Sequence, residues 1–200
     1  MQSSFLIKTN LKSKPFLKWA GGKTQLIPNI DGLIEKYILS GEIENYIEPF
    51  IGGGAIFFHL SSKYNLKNSI IADVNKDLIL AYKTIKIYSS KLIEAMSQLE
   101  NDFLSLDISE REKMYYKIRE TYNKNLINFN YLSKSEKWIE RSSYLIFLNR
   151  TCFNGLFRVN SKGEFNVPFG RYKNPTICNE ENLRNISLLL KNTTIINSDF

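Results

Sequence analysis

Histidine and cysteine are nearly missing from this chain: His59 stands alone, and Cys152 and Cys178 form no Cys-x-x-Cys pair. No zinc set can be assembled from them, so no metal site is expected and both thiols are read as reduced and structural. No apolar run reaches the ~18 residues of a membrane span, and Met1-Gln2-Ser3-Ser4-Phe5 lacks a charged n-region, an h-region and a cleavage site. A cytoplasmic protein away from the membrane is expected. Proline occurs only at 15, 28, 49, 168 and 175, so the chain holds no Pro-Pro step. Acids are missing from residues 1–23, which carry Lys8, Lys12, Lys14, Lys18 and Lys23.

The composition that remains is that of a folded protein, with 43% hydrophobic and 24% charged residues over 200 positions, enough for one core or a domain with a subdomain. The net charge of +7 is concentrated. Besides the N-terminal lysines, Arg150, Arg158, Lys162, Arg171 and Lys173 stand against Glu164 alone in residues 149–173. These two stretches exceed the whole surplus, leaving the remainder slightly acidic. That distribution points to a polyanion partner rather than a generally basic surface.

Asn45 to Phe50 is a short apolar run closed by glycines, with a helical pattern from Ala55 to Leu60: strand, tight turn, helix. Ser69 to Asp73 is a second β-branched run, followed from Asn75 to about Leu99 by helical periodicity. Ser109 with Glu112, and Ser133 with Glu136, fit capping boxes that open two further helices, one with Tyr115, Ile118 and Tyr122 on its core face. Leu156 to Val159 and Glu164 to Val167 flank Asn160-Ser161-Lys162-Gly163, which predicts a hairpin near 156–168. Thr193 to Ser198 reads as a third strand, with Asp199 at its end.

Glycine at 52, 53 and 54 lets the backbone approach a ligand closely, but Phe57 stands where the dinucleotide fingerprint needs glycine. Gly21-Gly22-Lys23-Thr24 is no P-loop, because Leu17 occupies the position of its first glycine. Asp73 sits where an α/β sheet places a carboxylate for a ribose diol. The same residue fits as a cap for the helix beginning near Asn75. Its spacing of about 20 residues from the glycine turn favours the diol.

Phe16-Leu17-Lys18-Trp19-Ala20-Gly21-Gly22-Lys23, Glu48-Pro49-Phe50-Ile51-Gly52-Gly53-Gly54, Ala72-Asp73-Val74-Asn75 and the segment from Asn149 to Tyr172 carry a resemblance. With these four motifs in this order, the chain resembles the Dam-type, α-order DNA adenine-N6 methyltransferases over about residues 14–200. The resemblance implies an α/β fold, a Rossmann-like methyltransferase sheet limited to its first three strands. Residues 1–75 and 176–200 would form the partial cofactor-binding core, and 76–175 a helical target-recognition subdomain with the hairpin. It implies S-adenosylmethionine as cofactor, held by Trp19, Lys23, Phe50, Gly52, Gly54, Asp73 and Asp199. Double-stranded DNA would be the partner, probed from Lys18. Arg158 and Arg171 would read guanine edges, Leu156 and Pro168 a thymine methyl, and Asn154 would fill the gap left by an extruded adenine. Arg150, Lys162 and Lys173 would touch phosphates. By analogy the site would be GATC.

The family's catalytic Asp-Pro-Pro-Tyr does not occur in these 200 residues. The chain is therefore expected to be a fragment of a longer sequence or the product of a decayed or split gene. It should be inactive alone and open to a C-terminal fragment supplied in trans, with a monomer expected when complete. Its first strand should be left as an exposed apolar sheet edge. A non-catalytic DNA-binding remnant is the alternative. An RNA-binding module fits less well, because the aromatics follow no RNP-type pattern.

Overall fold

The computed structural model describes residues 11–64, 66–126 and 128–199. Met1 to Phe5 and Lys8, used above, lie outside the described residues. The order of elements is α1 (Ile27–Leu39), β1 (Asn45–Glu48), α2 (Ala55–Lys63), β2 (Asn68–Asp73), α3 (Lys76–Ser105), α4 (Ile108–Lys124), α5 (Lys137–Thr151), α6 (Glu180–Leu189) and β3 (Thr193–Asn197). The three strands form a parallel sheet in the order β1-β2-β3, with Ile47 opposite Ile70 and Asp73 opposite Asn197. This is the α/β, Rossmann-like arrangement expected, and the carboxyl ends of all three strands lie at one rim. Strand β1 is outermost, and its Ile47 is 65% exposed, an apolar edge as anticipated.

One hydrophobic cluster runs through both halves of the chain. Phe16, Phe57, Phe58, Ile71, Tyr82, Phe103, Tyr115, Phe147, Phe165 and Leu190 all belong to it. Helix α3 crosses this core for 30 residues, with a non-helical kink at Tyr88. A smaller cluster of Ile38, Leu60 and Tyr64 seats α1 on α2.

The helix starts differ from the capping-box reading. Helix α4 is capped by Asp107, which accepts from the N–H groups of Ser109 and Glu110, so Ser109 falls inside the first turn. Helix α5 begins after Glu136 with no side-chain cap; upstream, Asn130 accepts from Leu132 and Ser133 instead. At α4 Asp107 takes the donors that Ser109 was expected to serve, whereas at α5 the N–H groups of Trp138 and Ile139 go to the backbone carbonyls of Ser135 and Glu136. Helices α1 and α6 carry no sequence mark used above, although α6 has the Asn179 cap and two acids in its first turn.

The hairpin is narrower than two paired strands. Only single bridges form, Val159 with Phe165 and Cys152 with Phe169, the second closing the loop at its base. At the tip, Asn160 Oδ1 accepts from Lys162 and Glu164, and Gly163 takes a φ of +78°. Helix α4 replaces the missing ladder: Asn123 pairs both side-chain amide atoms with the backbone of Phe165, at 3.0 and 2.9 Å. Tyr115 and Arg119 donate to the Val167 carbonyl.

Candidate cofactor cavity and recognition face

The rim of the sheet opens into a cavity of about 440 Å³, within the usual size of a small-molecule site. Trp19, Lys23, Phe50, Gly52, Gly54 and Asp73 all line it, together with Glu48. Asp199 is not among its walls; β3 ends at Asn197, whose Nδ2 donates to the carbonyls of Asp73 and Val74.

The turn between β1 and α2 is built for close approach. Gly52 and Gly54 take φ of +48° and +76°, the left-handed region that glycine enters without cost. A Cβ on Gly54 would stand 2.5 Å from Tyr82 Oη, and one on Gly52 would stand 3.1 Å from the Trp19 ring. Tyr82, reaching from α3, also donates to the Gly52 carbonyl.

Asp73 joins both sides of this turn. One carboxylate oxygen accepts from Gly52 N at 3.1 Å and the other from Asn75 N at 2.9 Å. The cap of α3 is Asn75, which accepts from Leu78, so Asp73 is free of the capping role that its sequence position equally allowed. Each Asp73 oxygen retains a lone pair for a ligand hydroxyl. Glu48, whose role the sequence reading did not assign, is a second carboxyl in the wall. Burial pushes it up, against the hydrogen bond that Tyr46 donates at 2.6 Å and the nearby charge of Lys23. The cavity thus offers two carboxylates, one ammonium, an aromatic wall and a glycine cradle. A ligand with a diol, a cationic centre and a carboxylate matches that set.

The wall facing the glycine turn is a strap, residues 12–19, that distant asparagines hold by its backbone. Asn149, fully buried at the end of α5, accepts from Lys18 N at 2.8 Å and donates to Lys18 O at 2.9 Å and Gly155 O at 2.9 Å. Asn182 makes the same paired contact with Lys14, at 2.9 and 3.0 Å. Arg150, expected at the phosphates, turns inward: its Nε and Nη2 donate to the Phe16 carbonyl at 3.1 and 2.7 Å. Burial pulls its pKa down. An orphan carbonyl in a half-buried strap commands those donors.

Trp19, next in the strap, stacks on Phe157 of the hairpin at 4.9 Å and 23°. Lys18 sends its ammonium over the Tyr172 ring, 5.2 Å from the centroid, and its stem covers Gly155 so closely that a Cβ there would meet it at 2.2 Å. Around this junction Lys18, Asn154, Leu156, Arg158, Lys162, Pro168, Arg171 and Lys173 are exposed. Asn154 and Arg171 adopt φ of +56° and +54°, and Arg171 makes only a surface ion pair, 3.3 Å from Glu112. Phe153, beside Asn154, is 52% exposed. That exposed aromatic in a basic loop is a recognition candidate the sequence reading passed over.

Comparison with known proteins agrees with this geometry. Residues 19–200 match the family model described as D12 class N6 adenine-specific DNA methyltransferase. The chain is 51% identical over 190 residues to the type II methyltransferase M.MjaIII of Methanocaldococcus jannaschii, covering 95% of this chain and 63% of that protein. It is 37% identical to the type II methyltransferase M1.LlaDCHI of Lactococcus lactis subsp. cremoris, covering 96% of this chain and 60% of that protein. It is 36% identical to the DNA adenine methylase of Escherichia coli K12, covering 82% and 50%. The chain therefore spans half to under two thirds of the length of these relatives. With a glycine turn, a strand-end carboxylate and a basic loop meeting at one strap, the chain belongs to the D12 class of N6 adenine-specific DNA methyltransferases.

Proposed function

We propose that these 200 residues bind S-adenosylmethionine and select a short duplex site for adenine-N6 methylation. The observation that carries this is the stack of Trp19 on Phe157: one contact separates the cavity wall from the recognition loop. A base drawn out by that loop would meet the cavity wall across this one stack. Asp73 would hold the ribose hydroxyls, Lys23 the cofactor carboxylate, and Trp19 and Phe50 the apolar surfaces. S-adenosylmethionine, when bound, supplies an electrophilic methyl group on a sulfonium. The chain's own residues bind and orient it; Glu48 adds a carboxylate that favours a cationic centre.

On the exposed face, Arg158 and Arg171 would read guanine, Leu156 and Pro168 would meet a thymine methyl, and Lys18, Lys162 and Lys173 would meet the DNA beside them. Asn154 and Phe153 would fill the stack where the adenine leaves. GATC is the site proposed, and restriction-linked modification is the setting that the type II names of two relatives favour. The 200 residues hold no Asp-Pro-Pro-Tyr. Alone they would bind without transferring, and a polypeptide carrying that motif, supplied in trans, would restore transfer. The alternative, a DNA-binding remnant, rests on the same absence.

Calorimetric titration tests the reading. S-adenosylmethionine should bind the chain and be lost with Asp73→Ala, whereas a GATC duplex should bind more tightly than a scrambled one. Absence of cofactor binding by the unsubstituted chain would leave only the remnant. Tritium transfer to adenine by these 200 residues alone would overturn the predicted inactivity.

A further inference from the structure

Arg158 does not stand free on the recognition face. Its Nε donates to Asn166 Oδ1 at 2.8 Å and its Nη2 to the Asn166 carbonyl at 3.2 Å, while Asn166 N returns a bond to the Arg158 carbonyl at 3.1 Å. Asn166 is itself fixed on both sides. Phe165 is held by the paired amide of Asn123, and the Val167 carbonyl by Tyr115 at 2.7 Å and Arg119 at 3.1 Å. The guanidinium of an exposed arginine is thereby referenced, through one asparagine, to the buried face of α4.

We propose that Asn166 is a positioning residue for base selection. This rests on the reading of Arg158 as a base reader. A guanidinium has five N–H donors in a fixed fork. Asn166 takes Nε–H and one hydrogen of Nη2, leaving both hydrogens of Nη1 and one of Nη2 without partners among the described residues. Those are the donors of the end-on fork, which matches the O6 and N7 acceptors of guanine in the major groove. Taking Nε from the inner side removes the side-on orientation and much of the rotamer freedom of a long side chain. The clamp thus converts a mobile cation, which would serve any phosphate, into a directed pair of donors. Asn166 touches no base in this scheme; it acts through Arg158.

The test selects bound DNA from a duplex library randomised over eight base pairs, using the 200-residue chain, Arg158→Ala, Asn166→Ala and Asn166→Asp, with melting temperature measured for each. The unsubstituted chain should enrich guanine at one position on the order of 10-fold, and Arg158→Ala should flatten that position. Asn166→Ala should flatten the same position while keeping affinity for random duplex and its melting temperature. Asn166→Asp retains an acceptor for Nε and should keep the preference. If Arg158→Ala loses the preference and Asn166→Ala retains it, Asn166 positions nothing. If both Asn166 variants lose it together with melting temperature, the residue serves folding alone and the inference falls. If Arg158→Ala changes no position, the base-reading assignment itself fails, a distinct result.

Discussion

The side-chain amide of Asn149 reads the backbone of Lys18 as a neighbouring strand would, accepting from its N–H and donating to its carbonyl. The same amide donates to Gly155 in the basic loop. Asn149→Leu keeps the branched shape but leaves three backbone groups without their side-chain partner, the Gly155 carbonyl among them buried. We expect a loss of about 1–3 kcal/mol in denaturant unfolding. Weaker binding of both S-adenosylmethionine and duplex should accompany it, because Trp19 follows Lys18 directly. A variant that loses stability but keeps both affinities would show that the clamp holds the fold and not the two surfaces.

A second buried link joins α3 to α5. Arg141 Nε and Nη2 meet the two oxygens of Asp77 at 2.6 and 2.9 Å, Tyr122 and Tyr131 donate to the same carboxylate, and the rings of Tyr122 and Phe129 lie 4.3 and 4.9 Å from the guanidinium. Burial draws the Arg141 pKa down, and the bonds and charge of Asp77 more than reverse it. Asp77→Asn should cost about 3–5 kcal/mol in urea unfolding, because it leaves a buried cation unneutralised. Asp77→Leu with Arg141→Met should be milder than that single change.

Glycines 54 and 21 separate crowding from strain. Both have φ near +75°, but a Cβ on Gly21 meets nothing within 4 Å, whereas one on Gly54 meets Tyr82 Oη and the Phe58 ring. Gly21→Ala should cost about 1–2 kcal/mol from backbone strain. Gly54→Ala should cost more and abolish cofactor binding, as calorimetry and thermal melts would record. Equal effects of the two changes would remove the packing argument for the turn.

Glu48 couples stability to pH in a defined direction. Its folded pKa is raised above the ordinary 4.5, with burial the leading cause. The carboxyl therefore favours folding in its protonated form, a contribution present below pH 4.5 and lost as pH rises through the folded value. At neutral pH its ionised form is a burden on the fold. Glu48→Gln should raise the melting temperature by an amount that grows from pH 4 to pH 7, while weakening S-adenosylmethionine. A pH-independent difference between the two proteins would contradict this.

The glycine turn was legible because its geometry is local: Gly52 and Gly54 close one turn, and Asp73 ends the next strand at the spacing a βαβ step demands. The basic loop was legible as charge, but not as individual roles. Nothing near Arg150 announces that Phe16 needs its donors, since the two are 134 positions apart. Asn123, Asn149 and Asn182 escaped notice for the same reason: an asparagine that substitutes for a strand shows itself only through a partner far along the chain. The hairpin arms were over-read as strands because α4 supplies the hydrogen bonds that a longer ladder would have made.

The strap that carries Trp19 is made early and secured late. Its backbone partners, Asn149 on Lys18 and Asn182 on Lys14, are 131 and 168 residues downstream. During synthesis, at roughly 5–20 residues per second, the glycine turn can form well before the segment that walls its cavity is tied down. The cavity is therefore walled only when nearly all of these residues have left the ribosome, and incompletely synthesised chains lack the fixed strap that completes it.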